Sequence, residues 1–67
     1  KKGDLRYAEF AARKALKIVP QSVDALMRLG RVQYKKGQRR PALATFRTIL
    51  QLKPGDRTAL KYIEKLQ

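Results

Sequence analysis

The chain has 67 residues, 17 of them Lys or Arg against 5 Asp or Glu, for a formal net charge of +12. That length allows one domain at most, of a size where a lone hydrophobic core supplies only about 3–5 kcal/mol, and like-charge repulsion at low salt narrows the margin further. Cys and His are absent, which excludes a disulfide framework, thiol chemistry and soft-metal sites, and no apolar run exceeds three residues, too short for a membrane span or a signal peptide.

Lys1-Lys2-Gly3-Asp4 reads as a turn in which the Asp4 carboxylate caps a first helix. That helix runs to about Val19, with Leu5, Ala8, Ala12, Ala15 and Leu16 recurring every three or four residues as one buried stripe, and Pro20 stops it. Ser22 caps the second helix, about Val23 to Lys36, which buries Val23, Leu26, Leu29, Gly30 and Gln33 and ends on Gly37 in the left-handed conformation. A mid-helix glycine costs roughly 1 kcal/mol relative to alanine, so Gly30 implies a second backbone packed against it. The third helix, about Arg39 to Leu52, carries Ala42, Leu43, Phe46, Ile49, Leu50 and Leu52, with Pro41 tolerated in its first turn. Beyond Lys53-Pro54-Gly55, Asp56 caps a fourth helix, Arg57 to Gln67, with Ala59, Leu60, Ile63 and Leu66 on one face. Of the aromatic residues, Phe10 and Phe46 are assigned to the core.

A shift of 34 residues lays Gly3 on Gly37, Ala8 on Ala42, Leu16 on Leu50, Pro20 on Pro54, Ala25 on Ala59 and Leu26 on Leu60. Such self-similarity at a fixed period marks a stacked repeat array. The pattern Leu26-x-x-Leu29-Gly30-x-x-Gln33, Ala42-x-x-x-Phe46, Pro54 resembles the tetratricopeptide repeat, which has Trp at the first of these positions and Tyr at the fourth. Those two departures imply a helix-helix contact built differently in detail. The resemblance implies an all-α fold of antiparallel helix-turn-helix repeats, an α-solenoid of about four helices. In that frame residues 1–22 hold the second helix of a partial repeat, 23–56 one complete repeat and 57–67 a capping helix. The capping role is expected because Glu64 falls at the equivalent of Gly30, where two touching backbones would leave no room for a carboxylate. The chain starts in the middle of a repeat without an initiator Met, and so reads as a piece of a longer protein.

Catalytic machinery is not expected. The carboxylates Asp4, Glu9, Asp24, Asp56 and Glu64 sit at caps or on helix surfaces, no two of them at helical spacings of three or four. With no His or Cys beside them, no general base, activated nucleophile or metal set is indicated, and the glycines form no phosphate-binding loop. No cofactor is expected.

Binding is the better-supported role. The resemblance implies that the first helix of each repeat lines a concave groove, which places Asp24, Met27, Arg28, Arg31, Tyr34 and Lys35 there, continued by Thr58, Lys61, Tyr62 and Lys65. Arg28, Arg31 and Lys35 form one stripe by their spacing, as do Lys61 and Lys65. Arginine forks pair with carboxylates, and Met27, Tyr34 and Tyr62 add apolar and stacking contacts, so the expected ligand is an acidic or carboxylate-bearing peptide. Some family members hold a terminal carboxylate with Lys and Asn, but this chain has no Asn, and that clamp is not carried over. A second candidate is an anion site at the turn after the second helix, where Lys36, Arg39 and Arg40 crowd a positive helix end that Gln38 replaces an acidic cap on, extended by Lys1 and Lys2. A further basic row, Arg6, Arg13, Lys17, Arg40 and Arg47, is placed on the convex side. The alternatives are nucleic-acid or anionic-membrane binding through diffuse charge, against which stands the lack of an aromatic platform, or a purely structural cap. The missing first helix of the leading unit leaves the Leu5, Ala8 and Ala12 face without its usual cover, which raises the expectation that the fragment self-associates or is poorly stable.

Overall fold

The computed structural model describes residues 4–67. It contains four helices, α1 (Leu5–Ile18), α2 (Val23–Lys35), α3 (Arg39–Leu52) and α4 (Arg57–Leu66), and no strand among the described residues. Each bound lies within a residue or two of the expected one, because the signals that set it are local. Asp4 accepts from the amides of Arg6 and Tyr7 at 3.1 and 3.3 Å, Ser22 from Ala25 at 3.2 Å and Asp56 from Ala59 at 3.0 Å, each such cap stabilising its helix by about 1 kcal/mol. Gln38 makes no side-chain cap, and the first turn of α3 has no acidic residue. That turn is instead fixed from the preceding side. Gly37 takes φ +78°, and the amides of Gln38 and Gly37 bond back to the carbonyls of Gln33 (2.9 Å) and Tyr34 (3.1 Å), the paired closure that terminates a helix on a left-handed residue.

Consecutive helices pack on one another, α1 on α2, α2 on α3 and α3 on α4, in a body of 32 × 26 × 17 Å. With a helix about 10 Å across, the thin dimension is two helices deep, as in a solenoid of helical hairpins. The core is not evenly shared. Its buried cluster is Leu26, Ala42, Phe46, Ile49, Ala59 and Leu66 from α2, α3 and α4, whereas α1 adds only the partly buried Leu16 at its edge.

Phe46 and Ile49 are the largest fully buried side chains, and Phe46 explains Gly30. A methyl group added at Gly30 would lie 2.7 Å from Phe46 Cζ and 2.9 Å from Cε1. The partner at the glycine is thus an aromatic ring and not a second backbone, which corrects the expectation and with it the premise used for Glu64. On α4, Tyr62 stacks on Phe46 with ring centres 4.6 Å apart and planes at 2°. Gln33 is also buried, at 4 % exposure, with its Oε1 2.7 Å from the Thr45 hydroxyl, which also lies 2.9 Å from the Pro41 carbonyl. This α2–α3 hydrogen bond is the altered contact that Gln33 implied.

Four apolar assignments are corrected, the first being Ala15, which the stripe placed inside and which is exposed. Phe10 is 61 % exposed, since it lies off the Leu5-Ala8-Ala12 stripe, and the Lys14 ammonium sits 5.8 Å from its ring centre. Leu52 and Leu60 are 39 % and 48 % exposed, Leu52 at the last residue of α3 and Leu60 on the side of α4 that no other described helix covers.

Candidate functional site

Two concave regions lie beside α2. The smaller, about 290 Å³, is lined by Arg31 of α2 and by Thr58, Lys61, Tyr62 and Lys65 of α4. Its one aromatic lining residue is Tyr62, which rests on Phe46 and meets Tyr34 edge-on, with centres 5.1 Å apart and planes at 76°. Its wall carries three cations and no carboxylate. The spacing of four aligns Lys61 and Lys65 on α4, and the stacked Tyr62 ties α4 to the core.

The larger region, about 540 Å³, lies between α1 and α2. Leu5, Ala8, Ala12, Ala15, Ala25 and Val32 form an apolar wall, and Arg28, Arg31, Lys35 and Asp24 supply the charge at its border. The stripe Arg28-Arg31-Lys35, expected to face one groove, is therefore divided. Arg31 borders both regions, while Arg28 and Lys35 line the α1–α2 side. Met27 is partly buried against the core cluster rather than presented to solvent. Tyr34 keeps 36 % of its surface exposed and lines neither region, reaching the smaller one only through its edge-on contact with Tyr62.

The anion site at the α2–α3 turn does not assemble as expected. Lys36 Nζ donates to Glu9 Oε1 on α1 at 2.7 Å, and the Arg13 guanidinium donates to Glu9 Oε2 at 3.0 Å. The Lys36 and Arg13 hydrogen bonds hold the Glu9 carboxyl below the usual carboxylate range. Arg39 Nε donates to the Leu66 carbonyl at 2.9 Å, satisfying one of the free acceptors at the end of α4. Two of the three cations are thus engaged within the fold, and Arg40 is exposed. Lys1 and Lys2 lie outside the described residues. In the convex row Arg6, Arg13, Lys17, Arg40 and Arg47 are all exposed, with Arg13 paired to Glu9.

Among the described residues no group of carboxylates could hold a metal ion, and no helix is long and apolar enough to cross a membrane. The family model for the tetratricopeptide repeat matches residues 1–65. The chain belongs to the tetratricopeptide repeat family. Members generally mediate protein–protein interaction and typically act as non-enzymatic scaffolds. No curated protein and no solved structure matches the chain. In the repeat frame expected from the sequence, α2 and α4 are first helices, and the depression between them corresponds to the expected concave groove.

The sequence marked Leu5, Ala8 and Ala12 as an uncovered face but did not place Arg28 and Lys35 at its border. It also missed Glu9 as the link between α1 and α2, since only Arg13, four residues after Glu9, was visible and Lys36 is 27 residues away.

Proposed function

We propose that this tetratricopeptide repeat segment is a protein-interaction scaffold whose concave face binds an acidic or carboxylate-bearing peptide. The observation that carries this reading is the meeting of Arg31, Lys61 and Lys65 around Tyr62 in a depression with no carboxylate in its wall. Two Lys ammoniums and an Arg fork within one opening favour paired carboxylates, while the Tyr62 ring and the exposed part of Tyr34 offer stacking surface to the backbone and side chains between them. Residues 57–67 are taken as the capping helix of the array, since a side chain at Glu64 excludes a further ring of the Phe46 kind.

The test is a labelled acidic peptide titrated against the chain and against a Lys61→Glu, Lys65→Glu variant, with helicity followed by circular dichroism. Binding should fall by about tenfold or more in the variant, because opposed charges are replaced by like ones, with helicity kept. Unchanged binding would sink the concave-face reading. Equal or better binding to any DNA or RNA strand, weakening steeply and uniformly with salt, would replace it by phosphate-backbone attraction.

A further inference from the structure

The face of α1 that carries Phe10 is exposed for a reason that does not depend on the presence of a neighbouring repeat. Each repeat of a stacked array contacts only the units beside it. α1 has the following helices α2 and α3 in place, and α3 has α1 and α2 before it, so a position exposed on both α1 and α3 is covered from neither side. In the 34-residue register Arg6 falls on Arg40, Phe10 on Ala44, Arg13 on Arg47, Lys14 on Thr48, Lys17 on Gln51 and Ile18 on Leu52, and both members of every pair are exposed. Ala11 and Ala15 behave differently: they are exposed, but their equivalents Thr45 and Ile49 are buried, which places them on the side where helices of the array stack.

Phe10 stands two residues, a little over half a turn, from Ala12, the buried residue of α1, and so points away from the core. Arg6 precedes it by four residues, and Arg13, Lys14 and Lys17 follow it by three, four and seven, which puts all four cations on its own side of the helix. The Lys14 ammonium lies 5.8 Å from the ring centre. The one carboxylate within α1, Glu9, is taken up by Lys36 and Arg13, and Arg6, Lys14 and Lys17 form no ion pair among the described residues. Ile18 ends the row at 79 % exposure.

None of these residues lines either concave region. The row is a ridge, which gives an extended peptide no groove to lie in. A nucleic-acid backbone would satisfy the cations but not Ile18, which has no ring to stack on a base and no polar atom to pair. An anionic bilayer satisfies both, since its headgroups attract ammonium and guanidinium groups while the boundary with the acyl chains takes up apolar side chains. We infer that this face of α1 rests on an anionic membrane surface, with Phe10 and Ile18 where headgroups meet acyl chains and Arg6, Lys14 and Lys17 among the headgroup anions. The α2–α4 depression shares no residue with this face, so the two sites stand or fall separately.

The test is co-sedimentation of the 67-residue chain with vesicles of equal parts phosphatidylserine and phosphatidylcholine, and with vesicles of phosphatidylcholine alone. The chain should partition onto the first and stay in solution with the second. Phe10→Ser should lower the partitioning roughly fivefold or more, because a phenyl ring leaves the apolar boundary. Lys14→Gln with Lys17→Gln should lower it about tenfold or more, because two cations leave the charged layer. Lys61→Gln with Lys65→Gln removes the same net charge from the α2–α4 depression and should leave the vesicles bound while it weakens the acidic peptide of the concave face. All five positions are exposed, so helicity by circular dichroism should be the same throughout. No partitioning onto the phosphatidylserine vesicles, equal loss from the two lysine pairs, or no loss from Phe10→Ser overturns the inference, the last two because diffuse charge would then account for the attraction. So does a single strand of DNA or RNA that stays bound at a salt concentration where the vesicles release the chain, which would make a phosphate backbone the occupant.

Discussion

The two halves of the chain are copies of one design in different conditions. In α3–α4, the seat for a helix is filled: Phe46 and Ile49 are fully buried, Ala59 closes beneath them, and α2 lies on top with its glycine against the ring. In α1–α2, the equivalent seat is floored by alanines and faces outward, and α1 contributes nothing to the buried cluster beyond the edge contact of Leu16. The comparison shows which side chains fill a seat. Large side chains at Phe46 and Ile49 are fully buried beneath α2, whereas alanine at the equivalent Ala12 and Ala15 leaves a shallower wall.

The most drastic way to break the contrast is Phe46→Ala, which makes the filled seat resemble the open one. Removing a fully buried ring costs about 3–5 kcal/mol, comparable with everything a domain of this size has, so chemical denaturation should find the variant largely unfolded. Gly30→Ala attacks the same contact from the other side. Alanine is the better helix former by about 1 kcal/mol, but its methyl would meet a ring that Tyr62 backs at 4.6 Å and that cannot retreat, an overpacking worth about 1–3 kcal/mol. The midpoint of urea unfolding should therefore fall; a rise would show that Phe46 moves freely. Thr45→Val makes the filled seat more like Ala11 in chemistry, leaving the buried Gln33 without its hydroxyl partner, and should cost about 1 kcal/mol by the same measurement.

The smallest expected effect tests what fastens the open half. Glu9 is held below its ordinary pKa by Lys36 and Arg13, so its contribution is complete above the carboxylate's unfolded value and disappears as pH falls through the lower folded value. Thermal unfolding should show a slight loss of stability on acidification over that window, and Glu9→Gln should remove that part of the pH dependence. The pair is exposed enough for water and salt to screen it, and added salt should shrink the effect.

The caps at Asp4, Ser22 and Asp56 and the stop at Gly37 were legible in the sequence because each depends on residues within five positions of itself. The fold followed from the 34-residue register for the same reason, since repeated local signals imply repeated local structure. Gly30 was legible as a close contact, but its partner was not, because a missing side chain does not say whether backbone or ring fills its place. Phe10 was misread by weighing hydrophobicity over helical phase. The partners of Lys36 and Arg39 were out of reach, as both lie 27 residues away and depend on how α1 and α4 are placed against the middle helices. The same limit divided Arg28 and Lys35 from Lys61 and Lys65: spacing shows that charges share a helix face, but not where along that face one groove ends and the next begins.

The edge-to-face contact of Tyr34 and Tyr62 has an optical consequence. The chain has no Trp and three Tyr, and Tyr7 is 71 % exposed, so the near-ultraviolet circular dichroism of the native protein is dominated by one locked pair of phenol chromophores and the ring beneath them. Tyr62 of that pair lines the depression between α2 and α4. Anything that settles there, or that loosens α4 from the core, alters a signal the protein carries without a label.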